Sequence, residues 1–122
     1  MNPQQLMSGL IKKNKELSEL NQELLKLATN KAEAEKKYRI SRAEETLRLK
    51  NEGNPTTLIK DIVKGEVAQE KLDFDLATEI YKIKIHKVWD IRGAIDTYRS
   101  LLTWERMEYK NANVHDESGI QQ

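Results

Sequence analysis

Few side chains in this sequence have the types and spacing that nucleophilic or metal chemistry requires. There is no Cys, so thiolate nucleophiles, Cys-bound zinc and disulfide bonds are excluded together. The two histidines, His86 and His115, each lack a second histidine nearby. His86 and Asp90, at i and i+4, could contact a metal ion, but this spacing is more typical of a polar pair on a helix surface. We therefore expect no metal site and no cofactor.

The carboxylates are abundant, but none forms a pattern typical of catalysis. Pairs such as Glu44 and Glu45 have the placement of ordinary residues on a solvated helix face. Gly53 and Gly65 lack the spacing of a phosphate-binding loop. Because catalysis needs convergent groups in a preorganised pocket, we expect this protein not to be an enzyme.

Basic residues form two clusters that could contact the phosphates of a nucleic acid. The members of the two clusters are Lys36, Lys37, Arg39 and Arg42 in the first, and Lys82, Lys84 and Lys87 in the second. The alternative is a mixed-charge surface balanced by nearby Asp and Glu residues, in keeping with a net charge of only +1. Nucleic acid is therefore a second candidate partner.

Composition favours long helices over a compact globular fold. Of 122 residues, 34% are charged and 38% are hydrophobic, with only five Gly and two Pro. A chain of this kind typically forms coiled coils or other extended helical structures, which need only one apolar stripe. No stretch has the features of a signal peptide or a membrane span, so we expect a cytoplasmic protein without membrane contact.

A heptad pattern organises the second half of the chain. Every seventh residue is apolar at Val67, Phe74, Tyr81, Val88, Ile95, Leu102 and Tyr109. The second heptad position that would face the partner helix holds both apolar and charged residues. Its charged members are Glu70, Lys84 and Glu105. Such a pattern predicts a long helix over about residues 66–110 that packs along a partner helix.

The first half predicts a second long helix, over about residues 3–52. Leu10, Leu17 and Leu24 recur in sevens, and after Ala32 the apolar pattern is expected to drift towards Ile40 and other residues. Residues 53–55, Gly-Asn-Pro, predict its end, and a short helix is expected over about residues 56–64. Residues 111–122 lack periodicity and predict a disordered tail.

These elements predict an all-α fold, a long antiparallel helical hairpin with a short connecting helix. In this antiparallel pairing, the numbers of two residues that face each other would add up to about 118. Tyr38 would then lie near Ile80, and the two basic clusters would lie at the same height along the hairpin. Apolar residues outside the seam, including Leu76 and Ile80, exceed what one partner helix covers. Self-association into a helical bundle is therefore expected.

Ten residues are predicted to form the core or the interface of this assembly. They are Leu10, Leu17, Leu24, Phe74, Tyr81, Val88, Trp89, Ile95, Leu102 and Trp104. Trp89 and Trp104 could form a ligand platform, but at helical spacing they are expected at the margin of an interface between helices.

One stretch also resembles a known group of proteins. The residues that carry the resemblance are Ala-Glu-Ala-Glu-Lys-Lys-Tyr-Arg-Ile and Ala-Glu-Glu-Thr-Leu-Arg-Leu within residues 31–49, Glu-Gly-Asn-Pro-Thr-Thr-Leu-Ile-Lys-Asp at residues 52–61, and Lys-Gly-Glu at residues 64–66. Over about residues 31–104 the chain resembles small, charged helical proteins encoded by bacteriophages and prophages of Gram-positive bacteria. The resemblance implies a setting in the early region, beside single-strand annealing or single-strand-binding genes, and implies no catalytic residues.

The sequence therefore predicts a non-enzymatic phage or prophage accessory protein that self-associates and acts through protein–protein contacts. Two alternatives remain open. One is a nucleic-acid-binding accessory factor in phage replication or recombination. The other is an inhibitor of a host defence or replication protein, in which case the partner is a host protein.

Overall fold

A computed structural model describes the backbone of residues 1–120 and the side chains of residues 1–113. The described chain forms three helices, α1 (Pro3–Asn51), α2 (Thr56–Glu66) and α3 (Ala68–Ile120), and contains no strand. Helix α1 packs against α3, and the short α2 connects them. The predicted all-α helical hairpin is confirmed.

Local sequence explains where α1 begins and ends. At its start, the backbone N–H of Gln5 donates to Asn2 Oδ1 at 2.8 Å, and the N–H of Asn2 donates to Gln5 Oε1 at 3.1 Å. This reciprocal pair satisfies N–H groups that the first helical turn leaves free. At the other end Gly53 has φ +84, a conformation that residues with a Cβ rarely adopt, and its N–H donates to Lys50 O at 3.0 Å.

The C-terminal part of α3 differs from expectation. The sequence predicts a disordered tail from residue 111, whereas α3 continues to Ile120. Residues 111–118 contain neither Pro nor Gly, and extending a formed helix costs far less than nucleating one. Gln121 and Gln122 lie outside the described residues.

The chain divides into two compact units. Unit 1 comprises Met1–Asn21 and His86–Gln122, and unit 2 comprises Gln22–Ile85. Unit 1 contains the start of α1 and most of α3, whereas unit 2 contains the rest of α1, all of α2 and the start of α3.

The seam of unit 1 is aliphatic at its buried positions, whereas Lys13, Tyr98 and Glu105 are half-buried members of it. Its buried members are Leu6, Leu20, Val88, Ile91 and Ile95. Leu10, Leu17 and Leu102 fill half-buried positions between them at heptad spacing. Burial of branched aliphatic side chains at these positions is the main source of stability in coiled-coil packing.

The seam of unit 2 keeps the heptad but changes its chemistry. Its half-buried positions are occupied by Leu24, Leu27, Lys31, Ala34, Tyr38, Ser41 and Glu45 of α1, and by Glu70, Phe74, Ala77, Tyr81 and Lys84 of α3. Of the residues expected in the drifting pattern after Ala32, Ile40, Ala43 and Leu47 are exposed, whereas Tyr38 is half-buried and Leu49 is buried. A partner helix that keeps its own heptad holds the facing residues of α1 at the same spacing, whether they are apolar or polar.

A buried cluster at α2 complements this polar seam. Leu49, Ile59, Val63 and Val67 pack together, with Tyr38 against them. Leu49 is the last buried residue of α1, and Ile59 and Val63 face it from one side of α2. The cluster thus joins α1 to α2 and to Val67, the residue between α2 and α3.

The pairing of α1 with α3 in unit 2 differs from the predicted register. Tyr38 stacks on Phe74, with ring centroids 6.1 Å apart, instead of lying beside Ile80. Lys84 Nζ lies 3.1 Å from Glu23 Oε1. The predicted register is therefore wrong by roughly two to three helical turns. Because α2 packs against the last turns of α1, those turns are not available to face α3.

Candidate interaction surfaces

Helix α2 forms a half-open groove on unit 2 where it meets α1 and the start of α3. The groove encloses about 820 Å³, within the range of pockets that bind ligands. It is lined by Tyr38, Arg42, Thr46, Ile59, Lys60, Val63, Lys64, Val67, Ala68, Lys71, Leu72 and Asp75. All three helices contribute, so the groove exists only when unit 2 is folded.

The charged residues of this groove are nearly all cations. Arg42, Lys60, Lys64 and Lys71 line it, with Asp75 as the one carboxylate. Lys71 Nζ lies 3.5 Å from Asp75 Oδ2 and 5.6 Å from the centre of the Tyr38 ring. Among the described side chains, no ion pair involves Arg42, Lys60 or Lys64. The groove therefore presents an excess of positive charge to solvent.

The floor of the groove is apolar. Ile59, Val63 and Val67 form it, but each is at most 5% exposed because the cluster at α2 buries it. Leu72 is 50% exposed and the Tyr38 ring is half-buried, so these two side chains offer most of the apolar area that a ligand could cover. The alkyl chains of the lysines add to this area.

A second, shallower depression lies elsewhere on unit 2 and is uncharged except at its rim. It encloses about 230 Å³ and is lined by Leu27, Asn30, Asp73, Leu76, Ala77 and Ile80. Leu76 is 52% exposed and Ile80 is 45% exposed, and Ile83 continues the same apolar stripe one turn further along α3. We call this surface, Leu27, Leu76, Ala77, Ile80 and Ile83, the apolar face.

Three aromatic side chains of unit 1 are exposed. Trp89 and Trp104 are both well exposed, and so is Tyr109 of the heptad. The Trp89 ring meets His86 edge-on, with centroids 5.0 Å apart and an interplanar angle of 81°. His86 therefore has an aromatic neighbour on its own helix. The position predicted for the two tryptophans at an interface margin stays a prediction.

The residues predicted as core or interface fall into three groups by burial. Val88 and Ile95 are buried, and Trp89 and Trp104 are exposed. The half-buried ones are Leu10, Leu17, Leu24, Phe74, Tyr81 and Leu102. All the buried and half-buried members lie on the seam of their own unit.

The residues predicted to contact nucleic acid do not form one band on unit 2. Lys84 is half-buried against Glu23, which lies about 20 Å along α1 from Lys36. The predicted merging of the two clusters is therefore wrong, because it depended on the register that the structure does not have. Lys82 pairs with Glu79 at 3.5 Å, which further offsets its charge.

The first cluster remains exposed but is partly neutralised. The Arg39 guanidinium donates to Glu35 at 2.6 Å, whereas Lys36 and Lys37 lie in solvent. Arg42 is the one member of either cluster that lines the groove. Lys87 is exposed on unit 1.

Sequence reasoning missed the lysines of α2. Lys60 and Lys64 are at i and i+4, one residue after Ile59 and Val63. This spacing places a basic edge beside an apolar stripe on one short helix. The pattern was visible in the sequence, but the cations of α1 and α3 that join it depend on the register.

Within the described residues no group of three or more His, Asp or Glu side chains could hold a metal ion. None of the described helices has a stretch long and apolar enough to cross a membrane. Comparison with protein-family models, with curated proteins and with solved structures finds no match to this chain.

Proposed function

We propose that this protein is a non-enzymatic helical hairpin that self-associates and acts through protein–protein contacts. The observation that carries the proposal is the apolar face of unit 2. Leu76, Ile80 and Ile83 are each about half exposed or more, although they lie on a helix that already packs along a partner. Large apolar side chains grouped in this way are typical of surfaces that another protein covers.

A second copy of the chain is the occupant that this face suits best. Its only polar lining residues are Asn30 and Asp73, so two copies related by a twofold axis would bring few like charges together. The depression is shallow and narrow, which suits a helix laid along a helix. Association of two hairpins through such faces would give a four-helix bundle.

The biological setting is a separate part of the proposal. Its support is the resemblance of residues 31–104 to small helical proteins of phages and prophages, from which we propose a role as an early accessory protein. Nucleic-acid binding is a second proposal, favoured by the solvent exposure of Lys36 and Lys37 and weakened by the pairing of Lys84 with Glu23. Inhibition of a host protein is a third proposal. In it the same apolar face would contact a host protein instead of a second copy of this chain.

Analytical ultracentrifugation of matched double variants tests self-association. Leu76→Lys with Ile80→Lys places two charges on the apolar face, so we expect the assembly to dissociate to single chains. Leu25→Lys with Leu58→Lys is the control, because both leucines are also more than half exposed and neither lines the face. The control is expected to sediment like the parent.

Circular dichroism of each variant checks that the helices remain. A parent that sediments as a single chain at every concentration would contradict the proposal. So would equal dissociation of the two double variants, because the effect would then not depend on this face.

A further inference from the structure

We infer that the groove of unit 2 binds an acidic amphipathic helix of a partner protein. The inference goes beyond self-association, because the groove and the apolar face share no lining residue. It depends on the combination of an excess of positive charge with an apolar floor in one half-open cavity.

The charges select an anionic occupant. Of the five charged residues that line the groove, only Asp75 is acidic, and its charge is offset by Lys71 at 3.5 Å. Arg42, Lys60 and Lys64 enter no ion pair among the described side chains, so their charge is available to a ligand. Carboxylates of a partner would pair with these cations at the rim, where they steer association and fix orientation.

The floor selects an occupant that is also apolar. Leu72 and the Tyr38 ring lie beside the cations and are open to solvent. A helix with apolar residues at i, i+3, i+4 and i+7 can cover them while its acidic residues reach the rim. Helix α2 is 11 residues long, so a partner helix of about 14 residues would span the groove.

The same features disfavour two other occupants. A second copy that docked groove to groove would bring eight cations and only two carboxylates together, so like-charge repulsion disfavours it. A nucleic acid would satisfy the cations, but sequence-independent binding of single strands also needs aromatic platforms for the bases, and Tyr38 is the one aromatic residue of the groove.

Fluorescence anisotropy with a designed peptide tests the inference. The probe is a labelled peptide of about 14 residues with Leu at helical spacing and Glu elsewhere. A second peptide has the same composition in an order that breaks the helical spacing. We expect the first peptide to bind the parent protein with a Kd below about 100 µM and at least about tenfold more tightly than the second.

Two charge-reversal variants locate the site. Lys60→Glu with Lys64→Glu should weaken binding of the first peptide by about tenfold or more. Lys36→Glu with Lys37→Glu makes the same charge change on exposed lysines of unit 2 outside the groove, and should change binding by less than about threefold. Thermal melts of both variants check that α2 still packs.

Several results would overturn the inference. They are the absence of binding at about 100 µM, equal binding of the two peptides, and equal loss in the two charge variants. Tighter binding of a single-stranded oligonucleotide that the α2 variant abolishes would assign the groove to nucleic acid. Dissociation of the parent assembly by the α2 variant would assign it to a second copy. The variant Leu76→Lys with Ile80→Lys should bind the peptide like the parent, so failure of self-association leaves this test intact.

Discussion

The two units pack α1 against α3 with the same heptad spacing but with different side chains. In unit 1 the buried seam residues are all Leu, Ile or Val. In unit 2 the facing positions of α3 hold Phe74 and Tyr81 beside Glu70 and Lys84, and none of the four is fully buried. A heptad therefore sets the geometry of a helix pair without setting how much free energy its seam contributes.

Two polar seam residues of unit 2, Lys31 and Lys84, have specific but weak partners, whereas Glu70 does not. Lys31 Nζ lies 5.4 Å from the centre of the Tyr81 ring, and Lys84 pairs with Glu23. Glu70 Oε2 is buried and has no hydrogen-bond partner among the described residues. Contacts of this kind favour one register over another, but each adds little to stability when it is partly exposed.

Unit 2 instead obtains its buried core from α2. The cluster of Leu49, Ile59, Val63 and Val67 contains all its fully buried hydrophobic residues. Within its described residues, unit 1 has no equivalent third helix. One hairpin can therefore combine a part stabilised by its seam with a part stabilised by a connecting helix, and the second arrangement leaves a groove beside that helix.

The largest expected effect comes from a charge in the seam of unit 1. Ile95 is 3% exposed, so Ile95→Glu would bury a carboxylate without a partner. We expect it to destabilise the protein by at least about 4 kcal/mol and to abolish the proposed self-association. Urea unfolding followed by circular dichroism measures the loss of stability, and sedimentation measures the loss of association.

Ser100→Glu is the control for that change, because Ser100 is exposed on the same helix and unit. It should alter stability by no more than about 0.5 kcal/mol. An Ile95→Glu protein with the stability and the sedimentation of the parent would refute the seam of unit 1.

Two glycines of unit 1 should respond to alanine in opposite directions. A Cβ at Gly9 would lie 2.6 Å from ring atoms of Tyr98, whereas a Cβ at Gly93 would meet nothing within 4 Å. The Tyr98 ring is rigid and half-buried in the seam, so it must leave its site to admit the methyl group. We expect Gly9→Ala to destabilise by about 1 kcal/mol net and Gly93→Ala to stabilise by about 0.5–1 kcal/mol.

A double-variant cycle separates the steric effect from helix propensity. In a Tyr98→Leu background the ring is gone, so Gly9→Ala should become neutral or stabilising. Chemical denaturation of the four proteins measures the coupling. If Gly9→Ala stabilises the parent as much as Gly93→Ala does, the close packing of Tyr98 on Gly9 is not important for stability.

The sequence was sufficient for the features that depend on local residues. Gly53 and Pro55 placed the break between α1 and α2, and the heptad from Val67 placed the seam of α3. The hairpin follows from these two features alone. The polar seam positions were seen as exceptions, whereas the structure keeps Glu70, Lys84 and Glu105 half-buried at heptad spacing.

The register and the groove could not be derived in the same way. Both depend on how α2 packs, and an 11-residue helix can fold back on either long helix at several levels. Placing α2 on the last turns of α1 moves the facing pairs in unit 2, by roughly two turns at Tyr38 and Phe74 and by roughly three at Glu23 and Lys84. The same packing brings Arg42 and Lys71 beside Lys60 and Lys64, which is why the groove was not visible in the sequence.

The smallest expected effect tests the polar seam of unit 2. Lys84 is half-buried and its side chain is 29% exposed, while Glu23 is 47% exposed, so their ion pair is well screened. Met has a similar length and no charge to desolvate. We expect Lys84→Met to stabilise the protein by about 0.5–1 kcal/mol, because the thioether packs in the seam without an ammonium to desolvate, while Glu23, which loses its partner, is exposed enough to stay hydrated. Glu23→Gln, which removes the pair but keeps the lysine, should cost no more than about 0.5 kcal/mol. If Lys84→Met instead lowers the free energy of unfolding by more than about 1 kcal/mol, this ion pair contributes as much as an aliphatic seam position. The two units would then differ in the residue types of their seams but not in the stability that the seams provide.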